Sequence, residues 1–364
     1  MQLICTACGR TEPVTTRMAH CTCGGLWQLD NPLPGFDLSD VDRSEWSLFR
    51  YRRFMALDDE SWRSVTMGEG MTPVVRLDDD VLLKMDYYMP TLSFKDRGAA
   101  VLIAHCKAIG VDKVVQDSSG NAGNSVAAYC AKAGIGCEIF VPEGTSPKKI
   151  DMIRAHGAIC TVVPGSRDHC ADVCREKVEK DGVYYANHVY NPFFYEGTKT
   201  YIYEVYEQLG RIPAHLVIPV GNGTLFLGAI FALEHLLESG VIGHMPQIIA
   251  LQSQNCDPLL RAAEHGEDTP ETVHPTPTIA EGIAIGQPMR GRQILTLAKK
   301  HAVRFVHAPE DQILTARAAL ARRGVYCEHT TAANYAAYLE YCRLYGRTED
   351  TLITMCGAGL KSDH

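Results

Sequence analysis

The chain has 364 residues, 46% hydrophobic and 21% charged, with a formal charge of -8 from 35 basic and 43 acidic side chains. That length is too great for one small core and suits two domains with a small extra module. An acidic total offers no basic footprint for nucleic acid, no basic-then-apolar signal opens the chain, and no run of 18 uncharged apolar residues marks a membrane span. The expectation is a cytoplasmic protein without a nucleic-acid or membrane partner.

Residues 1–30 read differently from the rest. Cys5-x2-Cys8, a gap of twelve and Cys21-x-Cys23 put four thiolates within 19 residues. Four thiolates suit tetrahedral zinc, and a segment too short to bury a core needs such a staple. Knuckles that persist without metal, or that are redox-labile, are the alternative. The other ten of the 14 cysteines lack motif spacing and read as small buried hydrophobes in a reducing compartment. In residues 31–64, Trp46, Phe49, Tyr51, Phe54 and Trp62 fall among charges, which predicts a linker and an amphipathic helix packed on the main body. "GEGMTP" at 68–73 is a loop.

From there strands and helices alternate. Strands are expected at 79–86, 112–117, 137–142, 158–165, 183–188, 215–220, 246–253, 303–308 and 351–356. A loop end with a helix is expected at 93–110 and a glycine-containing turn with a helix at 118–134, and further helices at 146–157, 168–182, 197–210, 225–240 and about 291–300, 310–323 and 330–345. Such alternation means parallel sheets covered by helices, with a closed eight-fold barrel as the rival arrangement. Ligands in open sheets bind at the carboxyl ends of strands, near a switch in strand order. Three glycine-rich loops follow strands, at 118–123, 221–224 and 357–359.

Lys95 lies in "SFKDRG". Ser93 reads as a helix cap, which places Lys95 near a helix N-terminus, where protonation is opposed and an amine stays reactive. The bland alternative is a surface lysine between Asp96 and Arg97. "DSSGNAGNS" follows a strand and opens a helix, so its amides, with Ser118, Ser119 and Asn121, can form a nest for a carboxylate or phosphate. An ordinary serine-capped turn would look similar. "PVGNGT" at 219–224 is a second nest, suited to phosphate, and matches neither the P-loop nor the GxGxxG pattern.

Taken together, "SFKDRG", "SSGNAGNSVAAYCAKAG", "NPFFYEGTKT", "PVGNGT", "LQSQNCDPL" and the terminal "CGAGLK" resemble the fold type II (β-family, tryptophan synthase β-like) pyridoxal-phosphate enzymes in order and spacing. Among these the chain is most similar to the threonine synthases and their near relatives, from about residue 68 to 363. The resemblance implies an α/β fold of two open parallel-sheet domains with a small N-terminal zinc-ribbon-like module. Its expected parts are a module at 1–30, a large cofactor-binding domain at 31–90 and 205–364, and a smaller domain at 91–204 with Lys95 and the SSGN loop at the interface. A homodimer is usual in the resembled family.

The resemblance also implies roles. Lys95 would carry pyridoxal 5′-phosphate as a Schiff base and shuttle protons at the substrate α-carbon. Asn121 would donate to the cofactor's 3′-oxygen, and Gly221, Asn222, Gly223 and Thr224 would cradle its phosphate. Ser118, Ser119 and Asn121 would hold the substrate carboxylate. Cys356 stands where relatives carry threonine or serine against the pyridine nitrogen, a neutral partner that favours elimination and replacement. Cys5, Cys8, Cys21 and Cys23 would hold structural zinc. The implied reaction converts O-phospho-L-homoserine and water to L-threonine and phosphate. Three departures bear on it: Phe194 in place of arginine, Leu92 in place of glycine, and Cys356 itself. Lys148, Lys149, Arg154 or Lys199 are the cations available to replace the arginine. The alternatives are a dehydratase or ammonia-lyase on serine, threonine or diaminopropionate, a β-replacement enzyme using an activated serine, and a non-catalytic binding relative.

Overall fold

The structure is a computed structural model that describes residues 1–57 and 59–361. In chain order the elements begin with β1 (Gln2–Cys5), β2 (Thr11–Glu12), β3 (Trp27–Asp30), β4 (Val74–Arg76) and β5 (Val81–Lys84). Next come α1 (Lys95–Ala108), β6 (Lys113–Gln116), α2 (Asn121–Ala133), β7 (Gly136–Pro142), α3 (Pro147–Ala155), β8 (Ile159–Val163), α4 (Arg167–Asp181) and β9 (Tyr184–Tyr185). The last stretch holds α5 (Phe193–Leu209), β10 (His215–Pro219), α6 (Thr224–Glu238), β11 (Gln247–Ser253), α7 (Pro258–His265), α8 (Gly291–Lys300), β12 (Arg304–Ala308), α9 (Ile313–Ala321), α10 (His329–Tyr345) and β13 (Thr351–Thr354). None of the described helices is long and apolar enough to cross a membrane.

The chain divides into two compact units, Met1–Met71 with Lys95–Thr200, and Thr72–Phe94 with the chain from Tyr201 onward. In the first unit β1, β2 and β3 form a small antiparallel sheet in the order β2-β1-β3. Its interior is Leu3, Cys5, Cys21 and Trp27, with Val14 and Leu29 partly buried against them, too little apolar surface to stand alone.

Residues 31–71 fall in the first unit, whereas the sequence reading grouped 31 onward with the other domain. Two contacts hold them there: Ala56 N–H donates to Glu196 Oε2 at 2.7 Å and Tyr129 O–H to Glu69 Oε2 at 2.9 Å. Among the described residues of this segment the expected amphipathic α-helix is also absent. The segment is built from 3-10 turns at Leu38–Asp40, Leu48–Phe54 and Ser61–Ser64. Leu48, Phe49, Arg50 and Tyr51 are buried in succession and only Arg52 and Arg53 reach toward solvent, so the burial does not follow a helical period.

The remaining sheet of the first unit runs β8-β7-β6-β9, all parallel. Its helices have strong punctuation. Ser146 and Ser166 cap α3 and α4 by accepting from Lys149 N and His169 N, while Gly134 and Gly182, in left-handed conformation, end α2 and α4. The chain passes outward through β6, β7 and β8 and then returns to place β9 on the other flank of β6. The switch in strand order therefore lies between β6 and β9.

The second unit holds one six-stranded sheet, β12-β11-β10-β13-β5-β4, parallel except for the β4–β5 hairpin. Its central strands are buried on both faces, which is why "HLVIP" and "TLIT" read as apolar runs rather than alternations. Here the switch lies between β10 and β13. Both sheets are open, so the closed barrel is excluded.

Candidate active site

The sites expected from sequence sit at these two switches. In the first unit the loop after β6 carries Ser118, Ser119 and Asn121. In the second, the loop after β10 carries Gly221 to Thr224, and the loop after β13 carries Cys356.

Lys95 is the first residue of α1 and is half-buried. The residues just before it, in the second unit, are pinned to the loop after β13. Phe94 N–H donates to Cys356 O at 2.9 Å, and Ser93 bridges to Gly357. This pairing takes Ser93 away from the capping role expected of it, and its fully buried Oγ has no hydrogen-bond partner. Leu92 adopts φ +60°, a left-handed conformation that costs a branched side chain roughly 1 kcal/mol and that glycine adopts freely.

Within the first unit the Lys95 Nζ lies 5.7 Å from the ring centroid of Phe194, which is fully buried. The ring lies directly over Gly98 of α1: a β-carbon there would come within 2.3 Å of Phe194 Cδ1. A second close approach follows one turn on, where a β-carbon at Gly197 would come within 1.9 Å of Arg97 O. Two glycines thus let α1 and α5 meet backbone to backbone. Position 194 accordingly presents an aromatic wall beside Lys95, with no cation. Of the cations proposed to compensate, Lys199 is buried and paired with Glu196 at 2.8 Å, while Lys148 and Arg154 lie exposed on α3 and Lys149 is half-buried there.

The 118–123 loop folds back tightly over the first turn of α2, since a β-carbon at Gly123 would come within 1.8 Å of Ser118 O. Gly120 precedes the helix without any side-chain cap, so the serines are not used as an ordinary cap and are half-buried. Asp117 ties this loop to the segment after β9 by accepting from Tyr185 O–H and Asn187 Nδ2, each at 2.7 Å. Two polar residues that the sequence did not single out lie at the same place. Gln116 ends β6, and His188 follows β9. Gln116 Nε2 is 3.5 Å from His188 Nδ1, and the Gln116 Oε1 is buried without a partner. Burial pushes the His188 imidazole well below its usual range, and the Lys95 and Arg167 charges push it the same way. Only the adjacency of β6 and β9 brings these two together.

In the second unit Gly223 takes φ +78° and leads straight into the 15 residues of α6, whose first amides receive no side-chain cap and so form a candidate anion nest. The loop is pressed from behind. A β-carbon at Gly223 would come within 2.5 Å of Ile294 Cδ1, and one at Gly221 within 3.0 Å of Ile285 Cγ1. Glycine is required at both positions. Cys356 is buried; its Sγ is 3.6 Å from Asn334 Nδ2 and 4.0 Å from Thr354 O, both neutral groups. Within the second unit, a glycine loop that opens a helix and a buried thiol with neutral neighbours are groups that suit the phosphate and ring nitrogen of pyridoxal 5′-phosphate.

The four N-terminal thiols converge: all Sγ atoms lie within 4.8 Å of one another, with Cys5–Cys23 at 3.5 Å and Cys8–Cys21 at 3.7 Å. A tetrahedron with zinc–sulfur bonds of about 2.3 Å has edges of about 3.8 Å, so the donor set fits the metal. A β-carbon at Gly25 would come within 2.5 Å of Cys5 Sγ, which explains glycine in the second knuckle.

Residues 65–357 match the family described as pyridoxal-phosphate dependent enzyme. Threonine synthase of Methanocaldococcus jannaschii is 27% identical over 98% of this chain and 92% of its own length. That of Mycobacterium leprae is 30% identical over 85% of this chain and 87% of its own. Among solved structures, the processed form of threonine deaminase isoform 2 from Solanum lycopersicum has a TM-score of 0.71 at 21% identity, covering 91% of this chain and 88% of its own. An L-serine ammonia-lyase from Rhizomucor miehei has 0.70 at 21% identity, covering 79% and 94%. The chain belongs to the pyridoxal-phosphate dependent enzymes and is a lyase of that family. Within it, the chain stands with threonine synthase and its close relatives.

Proposed function

We propose that this lyase removes a small, uncharged leaving group from a short L-amino acid, as a dehydratase or ammonia-lyase acting on serine or threonine does. The observation that carries the reading is the buried Phe194 ring beside Lys95, where a phosphorylated side chain would need a cation. A second reading rests on the curated relatives, which are threonine synthases. In it the substrate is O-phospho-L-homoserine, which with water gives L-threonine and phosphate.

In both readings the chain's residues divide the work alike. Pyridoxal phosphate, when bound, supplies the electron sink that makes the α-proton labile. Lys95 holds the cofactor, and its Nζ takes the proton from the substrate α-carbon and returns it. Asn121 would donate to the cofactor's 3′-oxygen. Gly221, Asn222, Gly223 and Thr224 bind its phosphate through their amides, with the Thr224 hydroxyl as an added donor. Cys356 would offer the ring nitrogen a neutral partner, which would restrain transamination. Ser118, Ser119 and Asn121 orient the substrate through its carboxylate. Cys5, Cys8, Cys21 and Cys23 bind one structural zinc.

The test is a product screen of the purified enzyme. Keto acid and ammonia from serine or threonine, without threonine from phosphohomoserine, is the expected result. Equimolar threonine and phosphate from phosphohomoserine, with no turnover of serine, would establish the second reading instead.

A further inference from the structure

We propose that Gln116 and His188, with the Phe194 ring as their wall, form the subsite for the substrate's side chain, and that it selects an uncharged hydroxyl over a phosphate. The proposal rests on the lyase reading above and names the residues that would set its specificity.

Position comes first. Gln116 is the last residue of β6, and Ser118 follows two residues later. His188 lies three residues beyond β9, the strand paired with β6 across the switch. Both therefore stand at the carboxyl ends of adjacent strands, beside the loop assigned to the substrate carboxylate. The His188 and Phe194 rings are 5.7 Å apart and edge-on, and the Phe194 ring is in turn 5.7 Å from Lys95 Nζ. These residues form one corner of the first unit.

The chemistry of the corner is neutral. Gln116 is fully buried, yet its Oε1 has no partner, and the Nε2 contact with His188 is at the long limit for a hydrogen bond. Leaving a buried carbonyl oxygen unpaired forfeits its solvation without return, so the acceptor is a natural place for a ligand's donor. His188 is buried and stays uncharged, which leaves it one donating and one accepting nitrogen. A hydroxyl both donates and accepts, and so satisfies this pair. A phosphate dianion offers acceptors only. It would face the Gln116 oxygen and an aromatic ring, with Lys199 already committed to Glu196. Lys95, assigned to the cofactor, and Arg167 are the cations that act on His188, and Arg167 stands exposed at the start of α4.

The experiment uses the cofactor-loaded enzyme and two readouts, the spectral shift on amino-acid binding and steady-state turnover. The ligands are L-serine, L-alanine and O-phospho-L-homoserine. Wild-type enzyme should bind serine at least tenfold more tightly than phosphohomoserine. His188→Leu and Gln116→Leu should each weaken serine binding about ten- to a hundredfold while leaving alanine binding unchanged, because alanine makes no hydroxyl contact. His188→Asn, which keeps a donor and an acceptor, should recover much of the loss. Equal weakening toward alanine and serine would reduce both residues to packing and overturn the proposal. So would preferred binding of phosphohomoserine that Arg167→Ala removes. Failure of any amino acid to shift the spectrum would defeat the lyase reading itself, a result distinct from loss of discrimination.

Discussion

Phe194 occupies the space that a β-carbon on Gly98 would need, with its Cδ1 and Cε1 each 2.3 Å from that point. Helix propensity alone favours alanine over glycine by about 1 kcal/mol inside a helix. Here the contact wins, since overpacking a filled core costs about 1–3 kcal/mol. Gly98→Ala should therefore lower the denaturation midpoint. Combining it with Phe194→Ala should recover stability relative to Phe194→Ala alone, because the cavity then admits the methyl group. A Gly98→Ala enzyme as stable as wild type would contradict the packing described.

Lys84 and Lys95 should separate cleanly by experiment. Lys84 is wholly buried, with its Nζ on Thr72 O at 2.6 Å, Gln208 Oε1 at 2.8 Å and the Glu204 carboxylate. Removing one member of such a pair costs about 3–5 kcal/mol, so Lys84→Met should unfold readily in urea. Borohydride reduction and peptide mapping should still place the pyridoxyl adduct on Lys95. Lys95→Ala should retain its urea midpoint while losing α-proton exchange. An adduct on Lys84 would reverse the assignment.

Acid sensitivity should come from buried histidines. His105 stacks on Phe193 with ring centroids 3.5 Å apart, and burial pulls its pKa from 6.5 down to about 4 despite a hydrogen bond to the Val14 backbone. Between those values the unfolded chain binds a proton that the folded chain does not. Stability therefore falls as pH drops through this window, by up to about 3 kcal/mol from this residue. His188 is displaced in the same direction. Urea midpoints recorded from pH 7 to 4 should decline for wild type and decline less for His105→Gln. Parallel curves would assign the acid lability elsewhere.

The ribbon should depend on its metal. Elemental analysis should find about one zinc per chain, and its removal should expose Trp27 and Leu26, read as a fluorescence shift and faster amide exchange over residues 1–30. The cofactor band should persist, because the ribbon supplies none of the residues assigned to that site. A metal-free chain with an equally protected ribbon would argue that Cys5, Cys8, Cys21 and Cys23 need no ion.

The sequence by itself determined the alternation of strands and helices, the glycine loops, the four converging thiols and the place of Lys95 at a helix start. These are local: periodicity, capping residues and short motifs act over a few residues. It misjudged residues 31–64, because Phe49, Tyr51, Phe54 and Trp62 are buried while Trp46 is exposed, which leaves no helical period to read. Ser93, a cap by sequence, is instead drawn into pairing with Gly357, far along the chain. Only the tertiary structure decided that β9 returns to the flank of β6 and β13 to the flank of β10. Strand order is fixed by contacts between distant segments, so the meeting of Gln116 with His188, and of Phe194 with Gly98, had no local signature to betray it.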